Sequence, residues 1–262
     1  MKRKFNRISS IAAAVFAVNI CLIVPFANEA AAQSTELRVF SSDGMKPAME
    51  KLLPQIESSI GRRLTTQFDA SKRLKQKIQA GEGFDVAILT SDAIDDLIAQ
   101  GKIAAATRVD VARCGIGVGI RPGQPKPDIR SPEALKQALL KAKSITFDHD
   151  GASAVYVNKM LVRLGIAEEV RPKLILEQAP GRPQMNVAEG KAELVFTLIP
   201  EISGFRGVEL VGPLPADLQS YVNFAAGVAT NTHDPEAAKA AIKFITSPAA
   251  APALKATGME PR

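Results

Sequence analysis

The chain has 262 residues, no tryptophan, two cysteines and a formal net charge of +6. Four cations and one carboxylate lie in the first 32 residues, so the remainder carries a charge of only about +3. This small excess, with no run of Lys and Arg interleaved with aromatic residues, argues against nucleic-acid binding. It favours a positively charged pocket for a small anion.

The first 32 residues have the features of a cleaved secretion signal. A basic start precedes the apolar run from Ile8 to Phe26, and residues 30–32 are alanines that suit a cleavage site. We expect residues 1–32 to be removed on export to a bacterial periplasm. The length of the apolar run leaves an uncleaved membrane anchor as the alternative.

Cys114 is the one cysteine that follows this segment, so no intramolecular disulfide can form and about 230 residues depend on their own core. It lies in the apolar run from Val111 to Ile120, where we expect a buried thiol. One cysteine and two scattered histidines give no metal-ligand spacing. We therefore expect neither a metal nor a cofactor.

The first element of the exported chain is a short apolar strand that ends in a polar turn. Residues 37–40 predict the strand, residues 41–44 form a Ser-Ser-Asp-Gly turn, and residues 46–59 predict an amphipathic helix with an early proline. Such a turn directs backbone N–H groups and the positive end of the helix dipole at one point, which suits an anion. Simple capping of the helix is the alternative.

The same β-α order then repeats. Strands are predicted at 64–68 and 84–89, and helices at 74–80 and 94–100, with short polar turns between them. This alternation predicts a parallel sheet with helices on both faces.

Residues 114–120 alternate glycine with apolar residues and open no helix, so they do not form a dinucleotide-binding loop. We interpret them as a strand that crosses into a second α/β unit, with glycines that allow close backbone approach. The second unit has strands at 144–147, 174–177 and 194–199. Residues 222–230 are predicted to cross back, and helices at 235–246 and 252–255 to return to the first unit.

The predicted fold is therefore α/β, with two doubly wound lobes joined by a two-strand hinge and a ligand cleft between them. Residues 33–112 and 226–262 would form the first lobe, and residues 113–225 the second.

Four stretches of the chain carry a family likeness: residues 39–49, 68–81, 84–88 and 187–193. They resemble the periplasmic molybdate-type solute-binding proteins, which have the type II periplasmic binding fold. The resemblance implies a bilobal protein that closes on an anion through serine hydroxyls and backbone N–H groups at the first two turns. The first family serine aligns with Gly44, just after Ser41 and Ser42, and the second aligns with Ser71 or Lys72.

Lys72 and Arg73 replace small neutral residues of that family pattern. Because Lys and Arg pair well with carboxylates, this departure favours a polycarboxylate over molybdate. The alternative is that both are solvated residues in the first turn of a helix, although cations are disfavoured there.

Further candidates for substrate contact lie at predicted turns and strand ends: Arg113, Ser153, Arg182 and Thr197. Arg113 could equally form an ordinary salt bridge with Asp110. Ser153 follows a glycine turn that repeats the anion-binding geometry in the second lobe.

The resemblance leaves three functions open. Aconitate isomerases look like molybdate-type binding proteins and act on a tricarboxylate without a cofactor, and the added cations favour this function. His149 or Lys72 would then act as the catalytic base, and Asp148 and Asp150 are the alternative candidates for this role. The alternatives are receptors for an organic anion or for molybdate or tungstate, which would serve an inner-membrane ABC transporter. In each case we expect a monomer with a small anionic ligand.

Overall fold

The structure, a computed structural model, describes residues 36–262. The predicted secretion signal lies outside the described residues. Within residues 36–262, no helix has the length and apolar character needed to span a membrane.

The strands of the described chain form one hydrogen-bonded sheet with two side branches. In chain order they are β1 (Glu36–Ser42), β2 (Arg63–Asp69), β3 (Val86–Thr90), β4 (Val109–Ile120), β5 (Ile145–Asp148), β6 (Leu174–Glu177), β7 (Leu194–Leu198), β8 (Glu209–Pro213), β9 (Tyr221–Val228) and β10 (Glu260–Pro261). Across the sheet the order is β2-β1-β3-β9-β4-β7-β5-β6, and β8 and β10 pair with β4.

Helices connect these strands. They are α1 (Lys46–Ile60), α2 (Ser71–Gln79), α3 (Ser91–Ala99), α4 (Pro132–Lys141), α5 (Ala154–Arg163), α6 (Ala167–Val170), α7 (Arg182–Ala188), α8 (Ile199–Ser203), α9 (Pro235–Ile245) and α10 (Ala251–Lys255). Short 3₁₀ turns cover Asp43–Met45, Ala105–Thr107 and Arg171–Lys173.

Each half of the sheet is built from parallel strands, as the β-α alternation predicts. In one half β1 runs parallel to β2 and β3, and in the other β5 runs parallel to β6 and β7. The antiparallel strands β4 and β9 lie between the two halves. The sheet thus contains two β-α-β units joined through its middle. The described residues cluster as one compact unit, so the predicted lobe boundaries stay a prediction.

Strand β4 belongs to both halves. Its first part, residues 109–115, pairs with β9, and residues 116–120 pair with β7 and β8. A Cβ atom on Gly117 would lie 2.9 Å from the Leu210 side chain, and one on Gly119 would lie 2.8 Å from Val195. The close approach predicted for these glycines is confirmed.

The predicted helices at 46–59, 94–100 and 235–246 are confirmed to within three residues. Strand β8 was not predicted. Its sequence, Glu-Leu-Val-Gly-Pro, ends in two residues that are typical of turns, and the strand is held by its pairing with β4. The predicted strand at 194–199 ends one residue early, at Leu198, and α8 follows at once. This abrupt strand-to-helix change places a helix start at the edge of the sheet.

Candidate functional site

A cleft of about 310 Å³ lies at the carboxyl ends of β1, β5 and β7. The ends of parallel strands at a change in strand order are a common position for ligand sites in α/β sheets. Residues from both halves of the sheet line it: Ser42, Asp43, Lys46, Pro47, Glu50, Ala70, Asp148, Gly151, Ala152, Pro180, Gly181, Pro183, Gln184, Met185, Thr197, Glu201, Gly204 and Phe205.

Three carboxyl groups face this cleft from three different strand ends. Asp43 follows β1, Asp148 is the last residue of β5, and Glu201 lies in α8 directly after β7. Their charges act on one another, since Asp148 raises the pKa of Asp43 and both aspartates raise the pKa of Glu201. The cleft therefore has an acidic floor.

Asp43 is partly buried in the 3₁₀ turn that replaces the first part of the predicted anion-binding loop. Burial raises its pKa to about 7, and the nearby carboxylates of Asp69 and Asp148 add to this effect while Arg73 and Lys46 oppose it. At neutral pH this carboxyl group therefore exchanges a proton with its surroundings.

Glu201 keeps part of its surface open to the cleft. The Thr197 hydroxyl donates a hydrogen bond to Glu201 Oε2. The protein packed around the carboxyl group desolvates it and raises its pKa to about 8, although hydrogen bonds from Thr197 and the Leu198 N–H favour the charged form. Glu201 therefore carries a proton at neutral pH most of the time.

Lys72 and Arg73, the two cations predicted to bind substrate, join the two halves of the sheet in this structure. The Arg73 guanidinium contacts Asp69, donates from Nη2 to Asp148 Oδ2 at 3.1 Å, and donates from Nη1 to the Gln178 carbonyl at 3.1 Å. Lys72 Nζ lies 2.5 Å from Asp150 Oδ1. In this structure Lys72 and Arg73 are therefore both bound to carboxylates of the chain.

These ion pairs lower the pKa values of their carboxyl groups, whereas the pKa values of Asp43 and Glu201 are raised. Burial disfavours the charged form of Asp69, but hydrogen bonds from Arg73 and the Ala70 N–H hold its pKa below the usual value. The hydrogen bond from Lys72 lowers the pKa of Asp150. Both groups stay charged at neutral pH.

Gln184 presents an unsatisfied amide to the cleft. Its side chain is only 5% exposed, and Oε1 has no hydrogen-bond partner within the described chain. An unpaired buried polar atom costs on the order of 1–3 kcal/mol. Oε1 is itself buried, so the Gln184 side chain would have to turn before a ligand in the cleft could supply the partner.

Some sequence-predicted site residues lie in or beside the cleft. Ser42 and Thr197 line it. Ser41 is buried behind it, and its hydroxyl donates to the Ser42 carbonyl at 3.5 Å. At Gly44 a Cβ atom would lie 2.6 Å from the Leu198 side chain and 2.8 Å from Phe224. The family serine at this position would therefore clash.

A second depression, of about 570 Å³, lies next to the cleft and shares Gly151 and Ala152 with it. Three predicted residues line it: Ser71, Lys72 and His149. The Ser71 hydroxyl accepts a hydrogen bond from the Thr90 N–H at 3.0 Å, and His149 is exposed. The two predicted catalytic residues are thus together, but outside the main cleft.

The remaining predicted residues do not line the main cleft. The Arg113 guanidinium pairs with Glu260 and stacks on Tyr221 at 4.4 Å, so the alternative of a salt bridge with Asp110 is wrong. Asp110 pairs with Arg108 instead. Arg182 contacts Glu177 and Met185, and Ser153 is buried at the start of α5.

Sequence reasoning missed Glu201 and Gln184 and treated Asp43 only as part of a turn. A signal for Glu201 was present, because it is the one charged residue in the apolar run from Leu194 to Ile202. A carboxylate in such a run is seldom placed without a partner or a function. No comparable signal marked Gln184, since its burial depends on the packing of α7.

Comparisons with known proteins agree with this architecture. Residues 37–260 match the family model described as bacterial extracellular solute-binding protein. An aconitate isomerase from Pseudomonas sp is 30% identical over 88% of this chain and 90% of its own length. A molybdate-binding protein from Azotobacter vinelandii is 26% identical over 87% of this chain and 91% of its own.

Among solved structures, the periplasmic molybdate-binding protein of Azotobacter vinelandii superposes with a TM-score of 0.73. The alignment has 18% identity and covers 85% of this chain and 98% of that one. At this identity the likeness concerns the fold.

Proposed function

Since the chain belongs to the bacterial extracellular solute-binding proteins, in their molybdate-type branch, we propose that it acts in the periplasm on a small polycarboxylate. The type II periplasmic binding fold predicted from the sequence is confirmed for this chain. Within that fold, we propose that the protein is an isomerase that interconverts trans-aconitate and cis-aconitate.

The observation that carries this proposal is the acidic floor of the cleft. Asp43 and Glu201 have pKa values raised to about 7 and about 8, so both gain and lose protons near neutral pH. A receptor that only holds an oxyanion has no use for groups that exchange protons near neutral pH. An enzyme that moves a proton on carbon needs a group of this kind.

The reaction itself needs little more. A proton leaves the methylene carbon of trans-aconitate and returns at the vinylic carbon, so the double bond moves by one position. The charge that develops spreads onto a substrate carboxylate, where fixed cations and N–H dipoles stabilise it.

Cations to hold the substrate carboxylates are available at the edge of the cleft. Lys46 lines it and pairs only loosely with Glu50, at 3.8 Å and in an exposed position. We propose that substrate carboxylates displace Asp148 and Asp150 from Arg73 and Lys72, since these side chains already bind carboxylates in the same geometry. Thr197 lines the same cleft, and its hydroxyl proton is donated to Glu201, so we propose that it contacts the substrate without donating to it.

A second candidate is a receptor for an organic anion, or for molybdate or tungstate, with an inner-membrane ABC transporter as its partner. The similarity to the molybdate-binding protein of Azotobacter vinelandii favours it. Both candidates predict export, with residues 1–32 removed, and a monomer in solution.

One experiment separates the two. Purified protein that begins at Gln33 is incubated with trans-aconitate, and cis-aconitate is sought by chromatography. The isomerase predicts its appearance at a rate proportional to enzyme concentration. Stabilisation against heat by molybdate, with no turnover of trans-aconitate, would refute the isomerase and support the receptor.

A further inference from the structure

Glu201 has the most constrained geometry of the three carboxyl groups that face the cleft from strand ends. It lies in α8, which starts with Pro200 near its N-terminus, and the fixed φ of proline limits the backbone there. The Thr197 hydroxyl binds Oε2 from the end of the adjacent strand. The carboxyl group is therefore held at the cleft by both backbone and side-chain constraints.

The other two groups are less suited to take a proton from carbon. Asp148 is ion-paired with Arg73, which also holds Asp69, so its carboxylate has a structural partner. Asp43 accepts no side-chain hydrogen bond within the described chain, and its position is set only by the turn after β1. Glu201 is held in a fixed position, and its burial and the nearby carboxyl groups oppose its ionisation.

The charged groups around Glu201 come from every side. The carboxyl groups of Asp43 and Asp148 raise its pKa, and the buried Cys114 thiol on β4 interacts with it electrostatically. Lys46 and Glu50 on α1 line the same cleft. Negative charge dominates, so ionised Glu201 is a stronger base than an ordinary carboxylate.

We propose that Glu201 is the catalytic residue that removes the proton from the methylene carbon of the substrate and returns it at the vinylic carbon. This assignment rests on the proposed isomerase function. In the step, the Glu201 carboxylate takes the methylene proton, and the freed electron pair forms the new double bond to the central carbon. The electrons of the old double bond then accept a proton from the Glu201 carboxyl group at the vinylic carbon. The carboxylate is regenerated and no co-reactant is consumed.

The geometry of a carboxyl group suits this transfer. Its two oxygens are separated by about the same distance as the first and third carbons of an allylic system, so one group reaches both carbons. Asp43 is then a positioning residue whose charge raises the basicity of Glu201.

The first test compares Glu201→Gln with a matched control, Glu168→Gln, at an exposed residue of α6. The glutamine keeps the size and the hydrogen bond to Thr197 but cannot carry the proton. We expect kcat to fall by about 10²–10⁴-fold, with the thermal shift produced by trans-aconitate retained, while the control keeps both.

Solvent exchange identifies the base independently of product formation. Because Glu201 keeps part of its surface open to the cleft, the proton that it takes can exchange with solvent before one is returned. In D₂O the wild type should therefore incorporate deuterium into trans-aconitate, and Glu201→Gln should lose this exchange together with turnover. If exchange survives in Glu201→Gln, another group removes the proton and the proposal is wrong.

The pH profile tests the role of Asp43. Because Glu201 must be ionised to accept a proton, kcat/KM should rise with pH and level off above about 8. Asp43→Asn removes a neighbouring negative charge and should move this rise to lower pH. If the profile of Asp43→Asn matches the wild type, the coupling is refuted.

The outcomes separate this proposal from the one it rests on. A wild type with neither turnover nor exchange refutes the isomerase and the assignment with it. An active wild type and an equally active Glu201→Gln variant refute only the assignment. Should Glu201→Gln fail to fold, Glu201→Asp retracts the same carboxyl group by one methylene, and full activity in that variant would also count against the proposal.

Discussion

Two groups of carboxyl side chains, one beside the cleft and one lining it, differ in charge. Asp69 and Asp150 contact cations of α2, and their pKa values are lowered. Within residues 36–262, Asp43 and Glu201 have no ion pair of this kind, and burial raises their pKa values to about 7 and about 8. The residue type is nearly the same in both groups, so the placement of Arg73 and Lys72 decides which carboxyl groups hold a proton.

The comparison shows that carboxyl groups at one edge of the sheet can have two roles, one structural and one suited to proton transfer. The ion-paired carboxylates join the two halves of the sheet, and the proton-holding groups face the cleft between the strand ends. Arg73 is the residue on which this separation depends, since it binds the first group and weakly stabilises charge on Asp43 in the second.

Loss of Arg73 should have the largest effect on stability. Arg73→Ala leaves Asp69 and Asp148 without their shared cation at a side chain that is only 18% exposed. We expect the free energy of unfolding to fall by about 2–4 kcal/mol, measured by urea denaturation at pH 7. Arg73→Lys keeps the charge but not the fork of donors and should recover part of the loss. An unchanged unfolding midpoint would show that the ion pairs do not join the halves of the sheet.

The second prediction concerns the pH dependence of stability. A carboxyl group with a raised native pKa binds a proton more tightly in the native than in the unfolded state, so Glu201 lowers stability as pH rises from about 4.5 to about 8. With allowance for solvent screening in the open cleft, we expect a loss of about 2–3 kcal/mol across this window. Glu201→Gln should remove that slope, which thermal unfolding at several pH values would measure. A wild-type stability that is level across this range would contradict the raised pKa.

A matched pair of substitutions compares the two groups directly. Asp69→Asn removes a charge held by Arg73 and Lys77 and should destabilise the native state by about 1–2 kcal/mol at pH 8. Asp43→Asn removes a charge that burial opposes and should stabilise it by about 1 kcal/mol. Opposite signs from the same chemical change are the result expected in chemical denaturation. If both substitutions changed the free energy of unfolding in the same direction, the two carboxyl groups would not differ in the way that their neighbouring charges predict.

The smallest effect on stability is expected at Lys72. Its side chain is 60% exposed, so the ion pair with Asp150 contributes about 0–1 kcal/mol, and less at high salt. Lys72→Ala should therefore unfold almost as the wild type does. If Lys72 binds a substrate carboxylate, the same variant should still lose roughly ten- to a hundredfold in affinity for trans-aconitate, measured by calorimetry. Unchanged affinity would remove Lys72 from the proposed binding site.

His149→Gln tests the competing assignment, in which His149 is the catalytic base. His149 is exposed and lines the neighbouring depression, whereas Glu201 faces the main cleft. A hundredfold loss of turnover at His149 with full activity in Glu201→Gln would restore the base predicted from the sequence.

Much of the fold was determined by local sequence. Alternating apolar runs and polar turns predicted the parallel units around β1 and β5, and the glycines of β4 predicted its close packing against neighbouring strands. These signals are local, because strand and helix periods and glycine geometry depend on residues that are adjacent in the chain. Strand β8 escaped prediction because its pairing with β4 is a tertiary contact.

The site was determined only in part by sequence. The sequence located the turn after β1 and the cations of α2, but it could not show that Arg73 and Lys72 meet carboxylates some 75 residues or more away in the chain. Nor could it show that Glu201 and Asp43 lie near each other and are buried enough for desolvation to raise their pKa values. Charge states depend on distances between groups and on the solvent that packing excludes, and both are set only when the two halves of the sheet come together.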